Sequence, residues 1–210
     1  MERIICLLIG YAFGLFQTGY IVGKFKHIDI RKQGSGNAGS TNAVRVMGWK
    51  AGIVTFAGDV LKCVAAVLLA RYLYRETDMA LLLGMYAGLG ATFGHNFPFY
   101  LKFKGGKGIA VLAGLVVSTG LWLVPIPLSA FLIAVIFTRY VSLGSLLAAT
   151  MFFLEMLLFG MKGDLPVPAQ YLPELYFLVG VIMLLAWIRH RENIKRLLAG
   201  EENRFGSNKK

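Results

Sequence analysis

Residues 109–138 read IAVLAGLVVSTGLWLVPIPLSAFLIAVIFT, an apolar run without a single charged side chain. As one helix this run would be about 45 Å long, whereas the hydrocarbon core of a bilayer is about 30 Å thick. Pro125 and Pro127 lie in its middle, and proline interrupts a helix because it lacks a backbone N–H and clashes with the preceding turn. The run therefore predicts two shorter helices, over 109–124 and 125–139.

The rest of the chain has the same character. Of its 210 residues 57% are hydrophobic, and the mean hydropathy of +0.64 is far from that of a soluble domain. A membrane-spanning helix needs about 20 apolar residues. We expect spans near 4–23, 52–74, 79–96, 109–124, 125–139, 143–160 and 171–188. The predicted fold is an all-α integral membrane protein with seven transmembrane helices, forming a single domain over residues 1–210.

The charge distribution predicts the orientation of these helices. With seven spans and the N-terminus outside, all but five of the 22 Lys and Arg residues lie on the same side of the membrane. Those five are Lys62 within a span and, on the opposite side, Arg3, Arg71, Arg75 and Lys162. Positive residues concentrate on the cytoplasmic side, so the C-terminus is predicted to be cytoplasmic. The net charge of +11 is thereby attributed to membrane topology and anionic head groups, and we expect no nucleic-acid partner.

Cysteine and histidine spacing indicates no metal or disulfide chemistry. Cys6 and Cys63 both fall within apolar segments, where a disulfide framework is not expected. No CxxC or HxxxH spacing occurs in the sequence. We therefore predict no metal site.

A first polar segment, GSGNAGSTNAVR at residues 34–45, lies between two apolar segments. Glycine lets successive backbone N–H groups converge on one anion, and hydroxyl and amide donors surround it. The segment contains GxGxxG, but no strand precedes it, so a dinucleotide site is poorly supported. A flexible connector is the alternative. The nearby cations Arg45 and Lys50, with Trp49 between them, favour an anion site at the membrane interface.

A second segment, GHNFPFYLKFKGGKG at residues 94–108, precedes the fourth span. It lacks the first glycine and the Ser or Thr of a P-loop, so ATP binding is not supported. Glycine amides and a lysine at a helix N-terminus nevertheless suit an anion. The alternative is that Lys102, Lys104 and Lys107 are interfacial anchors. That alternative fits Lys102 well and Lys107, beside three glycines, poorly.

A third segment, RHRENIKRLL at residues 189–198, continues the last span. His190 and Asn193 are three residues apart and would share one face of a helix. A basic amphipathic tail on the membrane surface is the alternative. RYVSLGS at residues 139–145 adds hydroxyl groups at another predicted cytoplasmic turn.

Two charged residues lie inside the second span. Asp59 and Lys62 are three residues apart, and charges within a span are usually paired or functional. We expect them to pair with each other. A proton or ion relay is the alternative, although no further acidic residues continue across the membrane.

Three of these segments together resemble a known family. GSGNAGSTNAVR, GHNFPFYLKFKGGKG and ENIKRLLAGEE (residues 192–202) are similar, in order and spacing, to the signature segments of the bacterial membrane glycerol-3-phosphate acyltransferases of the PlsY type. The resemblance implies seven transmembrane helices in the bacterial cell membrane, with the active site at the cytoplasmic face. It implies acyl transfer from acyl phosphate to glycerol 3-phosphate, yielding lysophosphatidic acid and phosphate without a cofactor. It also implies a functional link to the enzyme that produces acyl phosphate, of the PlsX type.

The resemblance assigns site residues by motif position. The catalytic set that it implies is Ser35, Arg45, Lys107, Ser145, His190 and Asn193. The substrate-binding set is Gly36, Asn37, Thr41, Asn42, His95, Lys104, Gly105 and Gly106. Membrane lipids are the expected surroundings of these residues.

The chemistry is compatible with these residue types. Both substrates carry phosphate dianions, which Arg45, Lys107 and donor amides would hold close together. Acyl phosphate is already activated, so the site mainly needs to stabilise developing negative charge. No histidine is followed by the aspartate of an HxxxxD motif. We expect His190 and Asn193 to orient glycerol 3-phosphate while a substrate phosphate oxygen accepts the proton, with His190 as the alternative base. For Ser35 we expect hydrogen bonding, with a covalent acyl acceptor as the alternative.

Transport of a phosphorylated metabolite is the competing class of function. Transporters commonly contain internal repeats and polar groups at the membrane midplane. Here the polar segments gather at one predicted face and no repeat is found, which favours an enzyme.

Overall fold

The computed structural model describes residues 1–206, and these residues contain α-helices and short 3-10 turns but no strand. Lys209 and Lys210, which contribute to the charge distribution above, lie outside the described residues. The chain divides into two compact units, Met1–Thr119 and the residues from Gly120 onwards. The α-helices of the first unit are α1 (Glu2–Gly14), α2 (Thr18–Phe25), α3 (Ser40–Met47), α4 (Trp49–Leu73), α5 (Ala80–Asn96) and α6 (Ile109–Thr119). Those of the second are α7 (Pro125–Thr138), α8 (Val141–Lys162), α9 (Leu172–Arg189) and α10 (Arg191–Leu198).

Helix α5 is the centre of the first unit and packs against α1, α4 and α6. Its contact with α1 depends on glycine, because a Cβ at Gly10 would overlap the Ala87 carbonyl and one at Gly94 would overlap the Tyr11 carbonyl. Small residues of this kind let two helix backbones approach closely within a membrane. Helices α4 and α5 are joined by a short connection, so the start of α4 and the end of α5 lie at the same end of this unit.

The first apolar segment, Glu2–Phe25, is long and apolar enough for the span expected near 4–23, but its helix is interrupted. Helix α1 ends at Gly14, α2 begins at Thr18, and Gln17 lies between them. The Gln17 amide is almost fully buried and donates to the carbonyl oxygens of Gly14, Gly94 and His95 at 3.1, 3.3 and 3.1 Å. One side chain at the break thus satisfies a carbonyl at the end of α1 and links the break to two carbonyls at the end of α5.

The break predicted within residues 109–138 is present. Helix α6 ends at Thr119 and α7 begins at Pro125, which occupies the first turn, where proline costs no hydrogen bond. In the second unit α8 packs against α7 and α9, and α10 contacts α8 and α9. The Phe205 N–H donates to the Arg139 carbonyl at 2.8 Å and so ties the end of the chain to the turn between α7 and α8.

Five helical segments among residues 1–206 are long and apolar enough to cross a membrane. They are Glu2–Phe25, Trp49–Leu73, Leu121–Thr138, Val141–Lys162 and Ala169–Arg189. Helix α6 is apolar but shorter, and α5 has 17 residues. The protein is thus a multi-pass membrane protein in character, while a count of seven crossings stays a prediction. Cys6 and Cys63 are free and buried.

Candidate active site

The first polar segment is organised by one buried side chain. Asn42, on α3, is 1% exposed, and its amide nitrogen donates to the carbonyl oxygens of Ile30, Gln33 and Asn37 at 3.1, 3.0 and 2.9 Å. Its amide oxygen accepts the Ser35 backbone N–H at 2.9 Å. Asn42 therefore shapes the loop from within, a different position from the outward-facing one expected of a substrate-binding residue.

The glycines of this loop have the conformations that its turn requires. Gly34 and Gly36 have φ angles of +59° and +70°, in the left-handed region that disfavours a side chain. A Cβ at Gly34 would also overlap the Asn42 amide oxygen. The loop is thus a defined turn, which argues against the flexible connector considered above.

The remaining predicted residues of this segment lie at its surface. Ser35, Gly36 and Arg45 are exposed, whereas Asn37 and Thr41 are partly exposed. The Arg45 guanidinium lies 3.5 Å from the Asn42 amide oxygen, and no side chain caps the first turn of α3. Uncapped N–H groups and a nearby guanidinium are features of an anion-binding helix N-terminus.

An ion pair stands at the entrance to this loop. The Arg31 guanidinium donates to both Asp29 carboxylate oxygens at 3.0 and 3.1 Å, and the Arg31 backbone N–H donates at 3.1 Å. The side-chain hydrogen bond from Arg31 lowers the pKa of Asp29 from its ordinary 3.8. The contact is therefore complete above about pH 4 and weakens as the pH falls further, because protonation removes the acceptor charge.

The second segment folds back onto the end of α5. The Gly105 N–H donates to the Asn96 carbonyl at 3.2 Å and the Gly106 N–H donates to the His95 carbonyl at 3.1 Å. Both glycines are buried, and a Cβ at either would overlap His95 atoms. Lys107 follows directly and is partly buried, ahead of the first turn of α6. Positions 105 and 106 thus have room only for glycine. The turn places Lys107 just before the N-terminus of α6.

The lysines of this segment differ in their surroundings. Lys102 and Lys104 are exposed, and Lys102 has a left-handed φ of +54°. The Asn96 side chain, fully buried beside Gly108, has both amide atoms without a hydrogen-bond partner among the described residues. A buried amide left in this state is costly. The turn therefore has capacity for a polar partner.

Behind the second segment lies the charged pair of α4. The Lys62 ammonium is 2.7 Å from the Asp59 carboxylate, which confirms the predicted pairing. The same ammonium contacts the His95 Nδ1 atom at 2.8 Å. The sequence did not predict this contact between Lys62 and His95, because sequence spacing does not show which residues of two different helices lie close together.

In the second unit, His190 stands between two helices. The sequence predicted that the third segment continues the last span, but α9 ends at Arg189, α10 begins at Arg191, and His190 joins them. Its Nδ1 atom is 2.7 Å from the Ala186 carbonyl oxygen. A carbonyl only accepts, so Nδ1 carries the proton and Nε2 of the neutral ring is the acceptor.

Asn193 and Ser145 are both buried in this unit. The Asn193 amide nitrogen donates to the Glu202 carboxylate at 2.9 Å, and Arg196 donates to the other Glu202 oxygen at 2.9 Å. The Ser145 hydroxyl donates to the Val141 carbonyl at 2.8 Å, within the first turns of α8. Glu202 thereby fixes the Asn193 side chain, a role that the sequence did not reveal since Glu202 lies beyond the helix end.

No group of three His, Cys, Asp or Glu side chains among residues 1–206 is arranged to hold a metal ion. The chemistry available in the described site residues is that of cations, hydroxyls, amides and the imidazoles of His95 and His190.

Comparison with known proteins adds three findings. The sequence model of the family described as glycerol-3-phosphate acyltransferase matches residues 4–200. Glycerol-3-phosphate acyltransferases of Thermoanaerobacter sp. (strain X514) and Clostridioides difficile (strain 630) are each 40% identical to the chain, covering 98% of it and 97% of their own length. The crystal structure of PlsY, an integral membrane glycerol 3-phosphate acyltransferase, in its glycerol 3-phosphate form is similar with a TM-score of 0.84 and 33% identity, over 98% of this chain and 96% of that one. Its lysophosphatidic acid form gives a TM-score of 0.82 and 32% identity.

Proposed function

This chain belongs to the glycerol-3-phosphate acyltransferase family of the PlsY type, and from that premise we propose that it transfers a fatty acyl group from acyl phosphate to glycerol 3-phosphate. The products are lysophosphatidic acid and inorganic phosphate. The related crystal structures in glycerol 3-phosphate and lysophosphatidic acid forms support the acceptor and the product. The acyl phosphate donor rests on the three signature segments.

The second segment is the observation that carries the proposal. Gly105 and Gly106 are pinned to carbonyls at the end of α5, and Lys107 follows at the start of α6. A fixed turn with a cation at a helix N-terminus is preorganised for a phosphate, so little reorganisation is needed when negative charge develops on the leaving group. We assign Lys107 and Lys104 to the leaving phosphate. Gly105 and Gly106, whose N–H groups donate to carbonyls of α5, would let the turn approach that phosphate closely without a side chain.

The first segment supplies a second anion site in this proposal. Arg45 and the uncapped start of α3 would bind one phosphate group, with Ser35, Gly36, Asn37 and Thr41 as hydrogen-bond partners. Two phosphates held in fixed positions turn a bimolecular acyl transfer into an oriented one. The Ser35 backbone N–H donates to Asn42 and holds this residue in the turn, and we assign its hydroxyl to hydrogen bonding with substrate.

The acceptor hydroxyl must lose a proton as it attacks the acyl carbonyl. We propose that His190, Asn193 and Ser145 orient glycerol 3-phosphate so that the proton of its attacking hydroxyl points at a phosphate oxygen of the substrate. A non-bridging phosphate oxygen of the substrate then accepts the proton. The C–O bond to the acyl carbon forms as the bond to the phosphate oxygen breaks, and phosphate leaves with the charge.

We place the reaction at the cytoplasmic face of a bacterial cell membrane, downstream of an enzyme of the PlsX type that supplies acyl phosphate. The asymmetry of Lys and Arg supports this orientation. The lipid-soluble acyl chain and the water-soluble acceptor would meet at that interface.

The proposal is tested by phosphate release from palmitoyl phosphate, measured on purified protein with and without glycerol 3-phosphate. We expect release and lysophosphatidic acid only when the acceptor is present. A parallel assay with palmitoyl-CoA separates the donors, since product from the CoA ester alone would overturn the donor assignment. Uptake of labelled glycerol 3-phosphate into sealed vesicles without product would instead indicate transport.

A further inference from the structure

We propose that Asp59 and Lys62 are positioning residues that hold His95 in a single tautomer, with its Nε2–H directed at the Gly105–Gly106 turn. The proposal deepens the function above and rests on it in one respect, namely that this turn binds a phosphate group of a substrate. The hydrogen-bond geometry that fixes the tautomer stands independently of any activity.

Lys62 is the centre of the arrangement. Its ammonium nitrogen lies 2.7 Å from the Asp59 carboxylate, 2.6 Å from the Phe16 carbonyl oxygen and 2.8 Å from the His95 Nδ1 atom. An ammonium has three N–H donors and no acceptor. With Lys62 as the ammonium, each donor has one partner and Nδ1 of His95 is the acceptor. The neutral ring then carries its proton on Nε2.

Burial makes this arrangement rigid. Asp59, Lys62 and His95 are 1%, 6% and 3% exposed. A buried charge is tolerated when it is paired and its remaining hydrogen-bonding capacity is used. The Thr18 hydroxyl donates to the Asp59 carboxylate at 3.0 Å, which adds support from α2.

His95 connects this cluster to the second segment in two ways. Its carbonyl accepts the Gly106 N–H at 3.1 Å and the Gln17 amide at 3.1 Å, which fixes the backbone. Its ring packs against Gly106 so closely that a Cβ added there would overlap Nε2. The nitrogen opposite Lys62 is thus the one that faces the turn.

The tautomer decides what the turn presents to an anion. A proton on Nε2 places an N–H at the Gly105–Gly106 turn, ahead of Lys107, whereas an unprotonated Nε2 would direct a lone pair at the same place. Hydrogen bonds to charged groups are among the stronger ones in proteins. Fixing the proton on Nε2 before substrate arrives avoids reorganisation during binding.

A purely structural ion pair is the competing explanation. In that case Asp59 and Lys62 would stabilise the packing of α4 and leave the properties of His95 unchanged. A neutral Lys62 amine that accepts a hydrogen bond from Nδ1–H is a second alternative, and it predicts the opposite tautomer. Both alternatives can be distinguished from the proposal by the tautomer of His95, measured in the wild-type protein and in a variant that lacks the ion pair.

The experiment uses full-length protein with 15N-labelled histidine, purified in detergent. The chain has three histidines, so His95→Gln identifies the resonances of His95. At neutral pH we expect an unprotonated Nδ1 and a protonated Nε2 in the wild-type ring. A protonated Nδ1 would overturn the proposal without the need for any variant.

The double variant Asp59→Asn/Lys62→Met tests the cause. It removes both charges together, so that no buried charge is left unpaired. The matched control is Thr55→Val, an equally buried change on the same helix whose hydroxyl bonds only the Ala51 carbonyl. We expect the double variant to lose the fixed tautomer and to raise the KM of one phosphate substrate about tenfold, with kcat and the other KM little changed.

The outcomes separate the two proposals. An unchanged tautomer in the folded double variant, or equal losses in the double variant and in Thr55→Val, would assign the pair a structural role only. A wild-type protein that forms no lysophosphatidic acid would refute the proposed function, while the spectrum would still report on the tautomer.

Discussion

The position of His190 between two helices fixes which of its ring nitrogens can accept a hydrogen bond. The sequence identified it within a motif, but only the structure reveals that Nδ1 is engaged by the Ala186 carbonyl. That contact leaves Nε2 as the hydrogen-bond acceptor of the neutral ring. In the proposed reaction this ring orients glycerol 3-phosphate, and a variant can test whether it also takes the proton.

The variant His190→Asn addresses this question because an asparagine amide can keep the bond to Ala186 while lacking Nε2. If the ring only orients glycerol 3-phosphate, we expect a raised KM for that substrate and a kcat within about tenfold of wild type. A general base contributes about 10² to 10⁴ in rate, so a kcat loss of that size would contradict proton acceptance by substrate phosphate. His27→Asn is the control, since His27 is exposed with a left-handed φ of +56° that asparagine tolerates.

Other residues mark the limits of sequence reasoning at this scale. Asn42 and Glu202 act through side-chain bonds to groups whose proximity depends on how the chain folds back. Motif position predicted a substrate-binding role for Asn42, but not that its amide would be turned inward. The pairing of Asp59 with Lys62 was predictable because both lie on one helix, whereas the contact with His95 was not.

At the scale of elements, the apolar pattern predicted where helices lie better than where they are interrupted. The break before α7 was visible because two prolines mark it. The break between α1 and α2 is produced by Gln17, whose partners Gly94 and His95 belong to another helix. No local signal separates such a glutamine from any other polar residue in an apolar segment.

Two lysines of the second segment differ in position, and we expect them to differ in their effect on activity. Lys107 follows the pinned glycine turn, whereas Lys102 is exposed at the preceding turn. Lys107→Gln and Lys102→Gln remove one charge each at similar length. We expect a loss of at least about 10²-fold in kcat for Lys107→Gln, as for removal of a preorganised charge-stabilising group, and nearly normal kinetics for Lys102→Gln. Equal effects in folded protein would indicate that both lysines act only as interfacial anchors.

At the scale of the molecule, small residues explain how short helices are accommodated in the first unit. Gly10 and Gly14 on α1 face the backbone of α5 at Ala87 and Ala91. The Gly10…Gly14 spacing is therefore used for packing within one chain. Helix α5, with 17 residues, is largely buried by its neighbours.

Whether α5 and α6 cross the membrane decides between five and seven spans. An odd number of crossings places the two termini on opposite sides in either case, so the termini alone do not distinguish the two topologies. The connections on either side of α5 do. With seven spans Glu76 and Lys102 lie on opposite sides of the membrane, whereas with five they lie on the same side.

Single cysteines provide the measurement, because the native Cys6 and Cys63 are both 0% exposed. Glu76→Cys and Lys102→Cys each replace an exposed residue in a connection. We expect a membrane-impermeant maleimide to label Glu76→Cys in intact cells and Lys102→Cys only after the membrane is opened, because the basic second segment should face the cytoplasm. Labelling of both from outside would remove α5 from the spans and, with it, the cytoplasmic placement of the Gly105–Gly106 turn.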